Sequence, residues 1–237
     1  MFYEWRPYVS VAERRKQAAR AARKLAKNGR VVRPIAIEGR AIAASFWGKA
    51  WCDNLERYSD YASRMPRGRT YVRNGSVVDL QIEAGKVTAL VSGSELYRID
   101  IEIDPLAKKR WQALVRECAG QIGSMIELLQ GRFSREVMQI LARPKTGLFP
   151  SPKQIRLSCS CPDWASMCKH VAAALYGVGA RLDHEPEIFF ALRQVDQTRL
   201  LSEATTARGV QKKARGGRAK ALEPASLSAI FGIEIED

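Results

Sequence analysis

At 237 residues the chain is long enough for one ordinary hydrophobic core, alone or with a small satellite, and a 46% hydrophobic content excludes wholesale disorder. Thirty-nine lysines and arginines against 25 acidic residues give a formal net charge of +14, well beyond what solubility requires. Such a balance suits a polyanionic partner, nucleic acid being the commonest in a cell, although an acidic protein surface would serve as well.

The opening MFYEWRPY lacks the apolar run of a secretion signal, and no stretch approaches the length of a membrane span, so a cytoplasmic chain without a membrane role is expected. Next comes SVAERRKQAARAARKLAKNG, residues 10–29, in which Arg14, Arg15, Lys16, Arg20, Arg23, Lys24 and Lys27 face a single acid, Glu13. Ser10 and Glu13 have capping-box spacing, and Asn28 with Gly29 forms a stop, so residues 1–29 read as a basic helical extension. Its apolar stripe, Ala18, Ala22, Leu25 and Ala26, is thin, which predicts weak docking or a wait for a partner. The tract serves either nucleic-acid contact, through residues such as Arg14, Arg15, Arg20 and Lys24, or solubility of the amino end.

A second helix is expected over 42–61, where Trp47, Trp51 and Leu55 recur at four-residue steps and Gly48 permits a close approach. Arg64, Arg67, Arg69 and Arg73 in RMPRGRTYVR read as a turn leading into a strand, from which guanidinium groups could reach phosphates or simply stay solvated. From Thr70 the period falls to two. TYVRN, SVVDLQIEA, KVTALVSG and LYRIDIEI predict an antiparallel meander of three or four strands, with Val78/Leu80/Ile82, Val87/Ala89/Val91 and Tyr97/Ile99/Ile101/Ile103 on its buried face. Asp79, Glu83, Asp100, Glu102 and Asp104 read as its ordinary polar face. Asp104 is also a candidate cap, with Pro105 in the first turn of the helix LAKKRWQALVREC. GQIGSMIELLQG and SREVMQILA continue the helical pattern, so residues 30–145 are expected to form an α+β body.

The densest chemistry follows in CSCPDWASMCKH, residues 159–170. Cys159 and Cys161, then Cys168 and His170, form two close ligand pairs separated by six residues. Zinc takes three thiolates and an imidazole as a tetrahedral set, and a closed four-ligand site is structural rather than catalytic. Other readings are a buried cysteine trio with a chance histidine, and a Cys-His catalyst, which a thiolate held under zinc could not be. The zinc reading puts Cys168 and His170 in the first turn of the helix VAAALYGVGARL. It also has Arg156 and Lys169 offset the net negative site, Asp163 accept amide hydrogens and Trp164 pack over the metal. Cys52 and Cys118 stand apart as buried small hydrophobes, five cysteines in all being an odd number with metal-like spacing rather than a disulfide framework.

CSCPDWASMCKH resembles the SWIM zinc finger, in the short-spacer form of small bacterial SWIM proteins. GRAIAASFWGKAWCDNLE, RGRTYVRNGSVVDLQIEAGKVTALVSGS, EPEIFFALR and AIFGIEIED are also similar to segments of that family, so the resemblance extends over most of residues 30–235. It implies Zn²⁺ on Cys159, Cys161, Cys168 and His170, with DNA binding, protein interaction and a Swi2/Snf2-type helicase ATPase as partner. The fold class expected is α+β, an antiparallel β-meander covered by helices, with a small SWIM-type zinc-binding module over 150–200 packing as a satellite. A basic glycine-containing linker at 205–220 and an acidic-apolar element at 221–237 complete the chain. No P-loop, paired-carboxylate arrangement or H-E-x-x-H is present, so the expected role is non-enzymatic and accessory. Sequence-independent nucleic-acid binding, probing DNA first, is set against protein-only scaffolding.

Overall fold

The computed structural model describes residues 9–57, 64–119, 133–200 and Ser202. The expected helical residues 58–61 and 120–131, the opening octapeptide, the basic linker and the terminal element lie outside the described residues.

The alternating segments form the sheet. Strands β1 (Val77–Glu83), β2 (Lys86–Ser92) and β3 (Leu96–Ile103) make an antiparallel meander. Gly85, at φ 68°, occupies the left-handed conformation of the first hairpin, where a side chain would be strained. The fourth strand is not the expected TYVRN segment. It is β4, Ile155–Cys159, which pairs antiparallel with β3 through Ile103↔Ile155, Ile101↔Leu157 and Ile99↔Cys159. All four strands are thus antiparallel in the order β1-β2-β3-β4.

One correction concerns which β1 residues face the core. The register shifts between Val77 and Asp79, a β-bulge, so Val77 opposes Val91 while Leu80 opposes Ala89. Val77 therefore joins Leu80 in the core, in the row where Val78 was expected. The bulge also leaves Asp79 fully buried, in contrast to the exposed polar face expected of it. Arg30 satisfies its charge, with Nη2 2.7 Å from Oδ2, and the Arg33 amide and Gln81 side chain donate to Oδ1. Residues 33–35 run along the free edge of β1, with the Leu80 amide donating to the Arg33 carbonyl and the Ile35 amide to that of Val77. This covers an edge that would otherwise offer itself for pairing.

Helix α1 spans Val11–Lys27, with the Ser10 hydroxyl accepting from the Glu13 amide. It packs against β1 and β2 with Ala18 buried, so its thin stripe does find the body. Helix α2, Phe46–Glu56, starts at Ser45 and buries Trp47, Trp51 and Leu55 as their spacing implied. Helix α3, Met65–Arg73, replaces the expected turn and strand. Pro66 stands in its first turn, where its missing N–H costs nothing, and Gly68 lets it approach the segment at Ala172 so closely that a Cβ would collide there.

Helix α4, Lys108–Ala119, starts later than the Asp104 cap would have it, since Asp104 accepts from Arg156 and its amide donates to Gln154. Helix α5, Arg135–Leu141, begins at Ser134. Helix α6, Lys169–Arg181, is the centre of the fold: every residue from His170 to Ala180 is buried. Short α7, Ile188–Leu192, adds Phe189 and Phe190 to the aromatic cluster with Trp47 and Phe133.

Gly48 and Gly179 bring α2 against α6, and the Trp51 indole donates to the Leu175 carbonyl at 2.8 Å. Because α6 packs on the sheet and on both α2 and α3, while β4 belongs to the sheet, the cysteine-rich segment is no satellite. It lies inside the compact unit Met1–Ala204. Among the described residues no helix is long and apolar enough to cross a membrane.

Candidate metal centre and basic surface

The end of β4 and the start of α6 carry the four donors. Cys159 is the last residue of β4, Cys161 lies in the turn, Cys168 is the N-cap of α6 and His170 is the second residue of that helix. Their three Sγ atoms and a histidine nitrogen all lie within 4.8 Å of one another. His170 turns Nδ1 toward the sulfurs, 3.7 Å from Cys168 Sγ and 4.0 Å from Cys159 Sγ. Three sulfurs and one imidazole in so small a space fit one tetrahedral zinc ion, and a closed set of four leaves no open position for a substrate. The centre is a structural, non-catalytic Zn²⁺ site.

Backbone geometry prepares the sulfurs for metal. The Cys161 amide acts on the Cys159 sulfur, the Asp163 amide on that of Cys161 and the Val171 amide on that of Cys168, each favouring thiolate. Cys168 ionises first. A hydrogen bond from Cys159 brings it down to about 3, helped by His170 and the first turn of α6 and opposed by burial. Cys159 is pushed up, chiefly by sharing its proton with Cys168, and Cys161 is pushed up chiefly by burial. Zinc loading therefore expels the protons that Cys159 and Cys161 hold.

Two tyrosines wall the imidazole. Tyr97 of β3 stacks on it at 4.3 Å between ring centroids, and Tyr71 of α3 meets it edge-on at 5.4 Å. Gly93 completes the enclosure, since a Cβ there would lie 2.9 Å from Nε2. That nitrogen is buried with no hydrogen-bond partner among the described residues, so packing rather than a hydrogen-bond acceptor fixes the ring.

The expected supporting residues sort differently. Asp163 does accept from the Ala165 amide at 3.2 Å, and it also holds Arg64 in a two-pronged ion pair at 3.0 and 3.3 Å. Lys169 extends over the Tyr71 ring, its Nζ 5.8 Å from the centroid. Trp164 does not cover the metal. It is 92% exposed, and the shielding expected of it comes from Tyr71 and Tyr97. Arg156 does not face the cluster either; it pairs with Glu102 and Asp104 near the opposite end of β4.

The arginines of 64–73 divide into two kinds. Arg64 is engaged by Asp163, and Arg69 by Glu56 and the Tyr176 hydroxyl. Arg67 and Arg73 are exposed. On α1, Arg15, Lys16, Arg20, Arg23, Lys24 and Lys27 are exposed, and among the described residues none has an acidic partner. Arg14 is half-buried, with its guanidinium carbon 5.8 Å from the Tyr71 centroid. Tyr71 is the residue that sequence reasoning missed. Its signal was present in an aromatic flanked by cations in RTYVR, but assignment to a strand concealed its neighbours.

Comparison with known proteins adds two findings. The SWIM zinc finger family matches residues 148–178, which span β4, the cluster and most of α6. The uncharacterized protein Rv2102 of Mycobacterium tuberculosis is 35% identical over 187 residues, covering 74% of this chain and 67% of that protein. No solved structure matches the chain.

Proposed function

The chain belongs to the same family as this mycobacterial relative and carries a SWIM zinc finger, and on that premise we propose that it is a non-enzymatic, cytoplasmic accessory protein that binds nucleic acid through its basic surface and docks on a helicase-type ATPase.

The observation that carries the nucleic-acid reading is the separation of cations into engaged and available ones. Arg64, Arg69, Arg143, Arg156 and Arg181 each have an acidic partner, so they serve the fold. Among the described residues the α1 row has none, and its single acid, Glu13, lies in the first turn. A row of unneutralised cations on one helix is the arrangement that phosphate contacts use, and such contacts carry no base code. Helix α6 is buried, so the zinc module does not present a recognition helix to a groove. Zinc shapes a surface here instead of reading a sequence.

The docking reading has its own support. Trp164, 92% exposed on the zinc loop, is the kind of aromatic anchor that protein interfaces bury. Its loop is braced by the Arg64–Asp163 pair.

Fluorescence anisotropy with labelled single-stranded and duplex DNA, titrated at several salt concentrations, tests the proposal. Affinity is expected to depend little on sequence and to fall about 100-fold between roughly 50 and 200 mM salt, as four or so phosphate contacts require. No binding at the lowest salt would leave a protein-only scaffold, whose cations serve an acidic protein surface.

A further inference from the structure

We propose that Arg14, Arg67 and Lys169, gathered around the ring of Tyr71, form a site for one backbone phosphate of a nucleic-acid strand, with the Tyr71 hydroxyl as a further donor. The inference rests on the nucleic-acid reading above and gives it a location.

Three elements remote in sequence supply the cations. Arg14 comes from α1, and Lys169 opens α6 between two of the cluster residues; the charged group of each lies 5.8 Å from the Tyr71 centroid. Arg67 lies one turn before Tyr71 on α3, a spacing that makes the two neighbours on one helix face. Among the described residues no carboxylate pairs with any of the three cations, and the Tyr71 hydroxyl has no hydrogen-bond partner there. The contrast with Arg69 on the same helix and Arg64 at its N-cap is direct, since each of those has its acid.

Like charges held together without a counterion repel one another, and cation–π attraction at exposed contacts offsets only part of that repulsion. A phosphate supplies the missing anion, and guanidinium forks match its oxygens better than an ammonium alone would. The surroundings favour a strand over an isolated phosphate. Arg15, next to Arg14, and Arg73, two residues beyond Tyr71, line a cavity of about 540 Å³ floored by Ala18 and Val78. Further exposed cations on α1 and α3 therefore stand outside the first phosphate site, as a strand with successive phosphates would need. Lys169 also connects the site to zinc, because the metal-binding turn fixes where that side chain starts.

The test uses the full zinc-loaded chain, a fluorescein-labelled 20-nucleotide single strand and anisotropy over a salt series. The triple variant Arg14→Gln/Arg67→Gln/Lys169→Gln is compared with Lys86→Gln/Lys109→Gln/Lys153→Gln, which removes equal charge from exposed positions elsewhere. The first is expected to bind about 30-fold more weakly and to lower the salt slope by about two to three, the second to change affinity less than about 3-fold. Tyr71→Phe, which keeps the ring, is expected to lose a few-fold at an unchanged thermal midpoint. If the triple variant lost its zinc, Lys169→Gln alone would carry the test, with a loss of about 5-fold and a slope lower by about one. Equal losses in both triple variants, or none in either, would overturn the site while the nucleic-acid reading stands. A parent that binds no strand would overturn both.

Discussion

Replacing Arg30 by alanine removes the charge partner of a carboxylate that has no contact with solvent. Asp79 Oδ2 receives Arg30 Nε and Nη2, both at 2.7 Å, whereas the Arg33 amide at 3.0 Å and the Gln81 amide at 2.7 Å serve only Oδ1. The variant thus strands one oxygen of a buried anion. Breaking a buried pair in this way costs about 3–5 kcal/mol. The Arg30 side chain is 40% exposed, so water can follow it in, and a discounted cost of about 2 kcal/mol is the working value. For a domain of this size that lowers the thermal midpoint by about 4–8 °C near neutral pH. Differential scanning fluorimetry of parent, Arg30→Ala and the double variant Arg30→Ala/Asp79→Asn measures it, and the double variant should recover part of the loss because its buried group is neutral. The pair also ties the residues just after α1 to β1, so the proposed nucleic-acid binding should weaken in Arg30→Ala even though Arg30 lies outside the proposed phosphate site. A midpoint within about 1 °C of the parent would refute the reasoning, showing that Asp79 is satisfied without Arg30.

Other consequences are as direct. Gly68→Leu should lower the thermal midpoint by several degrees or abolish soluble expression, because the α3–α6 approach at Ala172 leaves no room for a side chain and overpacking costs about 1–3 kcal/mol. Trp164→Ala should leave the midpoint within about 1 °C, its ring being exposed, and the proposed docking role requires it to reduce co-purification of a helicase-type ATPase from cells. Burial raises Cys52 and Cys118 to about 12, so at pH 8 both stay almost wholly as the unreactive thiol. Iodoacetamide should therefore label neither quickly in the zinc-loaded protein, and chelation should direct new labelling to the cluster cysteines, as peptide mass spectrometry would show.

How much was legible in the sequence follows from how far each signal was local. The meander was readable because β3, most of β2 and the sequence of β1 from Val78 onward alternate apolar and polar residues, with glycine at the first turn. Strand β4 was not, since five residues of IRLSC carry too little pattern and their partner β3 lies more than fifty residues earlier. Helix α3 was misread because Pro66 and Gly68 look like turn residues. The proline is tolerated in a first helical turn, and the glycine answers to a close neighbour a hundred residues away. The four cluster residues were grouped correctly from spacing alone, as two short pairs leave few other arrangements. What covers them was not, because Tyr71 and Tyr97 arrive from α3 and β3, whereas Trp164, adjacent in sequence, faces out. Net charge pointed to a polyanion but could not separate Arg64 and Arg69, engaged within the fold, from the open row on α1.

The zinc centre joins the last strand of the sheet to the central helix, and following metal release and unfolding in one heated sample tests this most directly. Zinc is read by a chromogenic chelator and secondary structure by circular dichroism, on protein purified without added metal. One zinc per chain should be released in a single transition that coincides with loss of the helical and sheet signal, because losing the ion frees β4 and the start of α6 together. Stripping the zinc with the dichroism spectrum and thermal midpoint unchanged, or finding no zinc in the folded protein, would contradict the account.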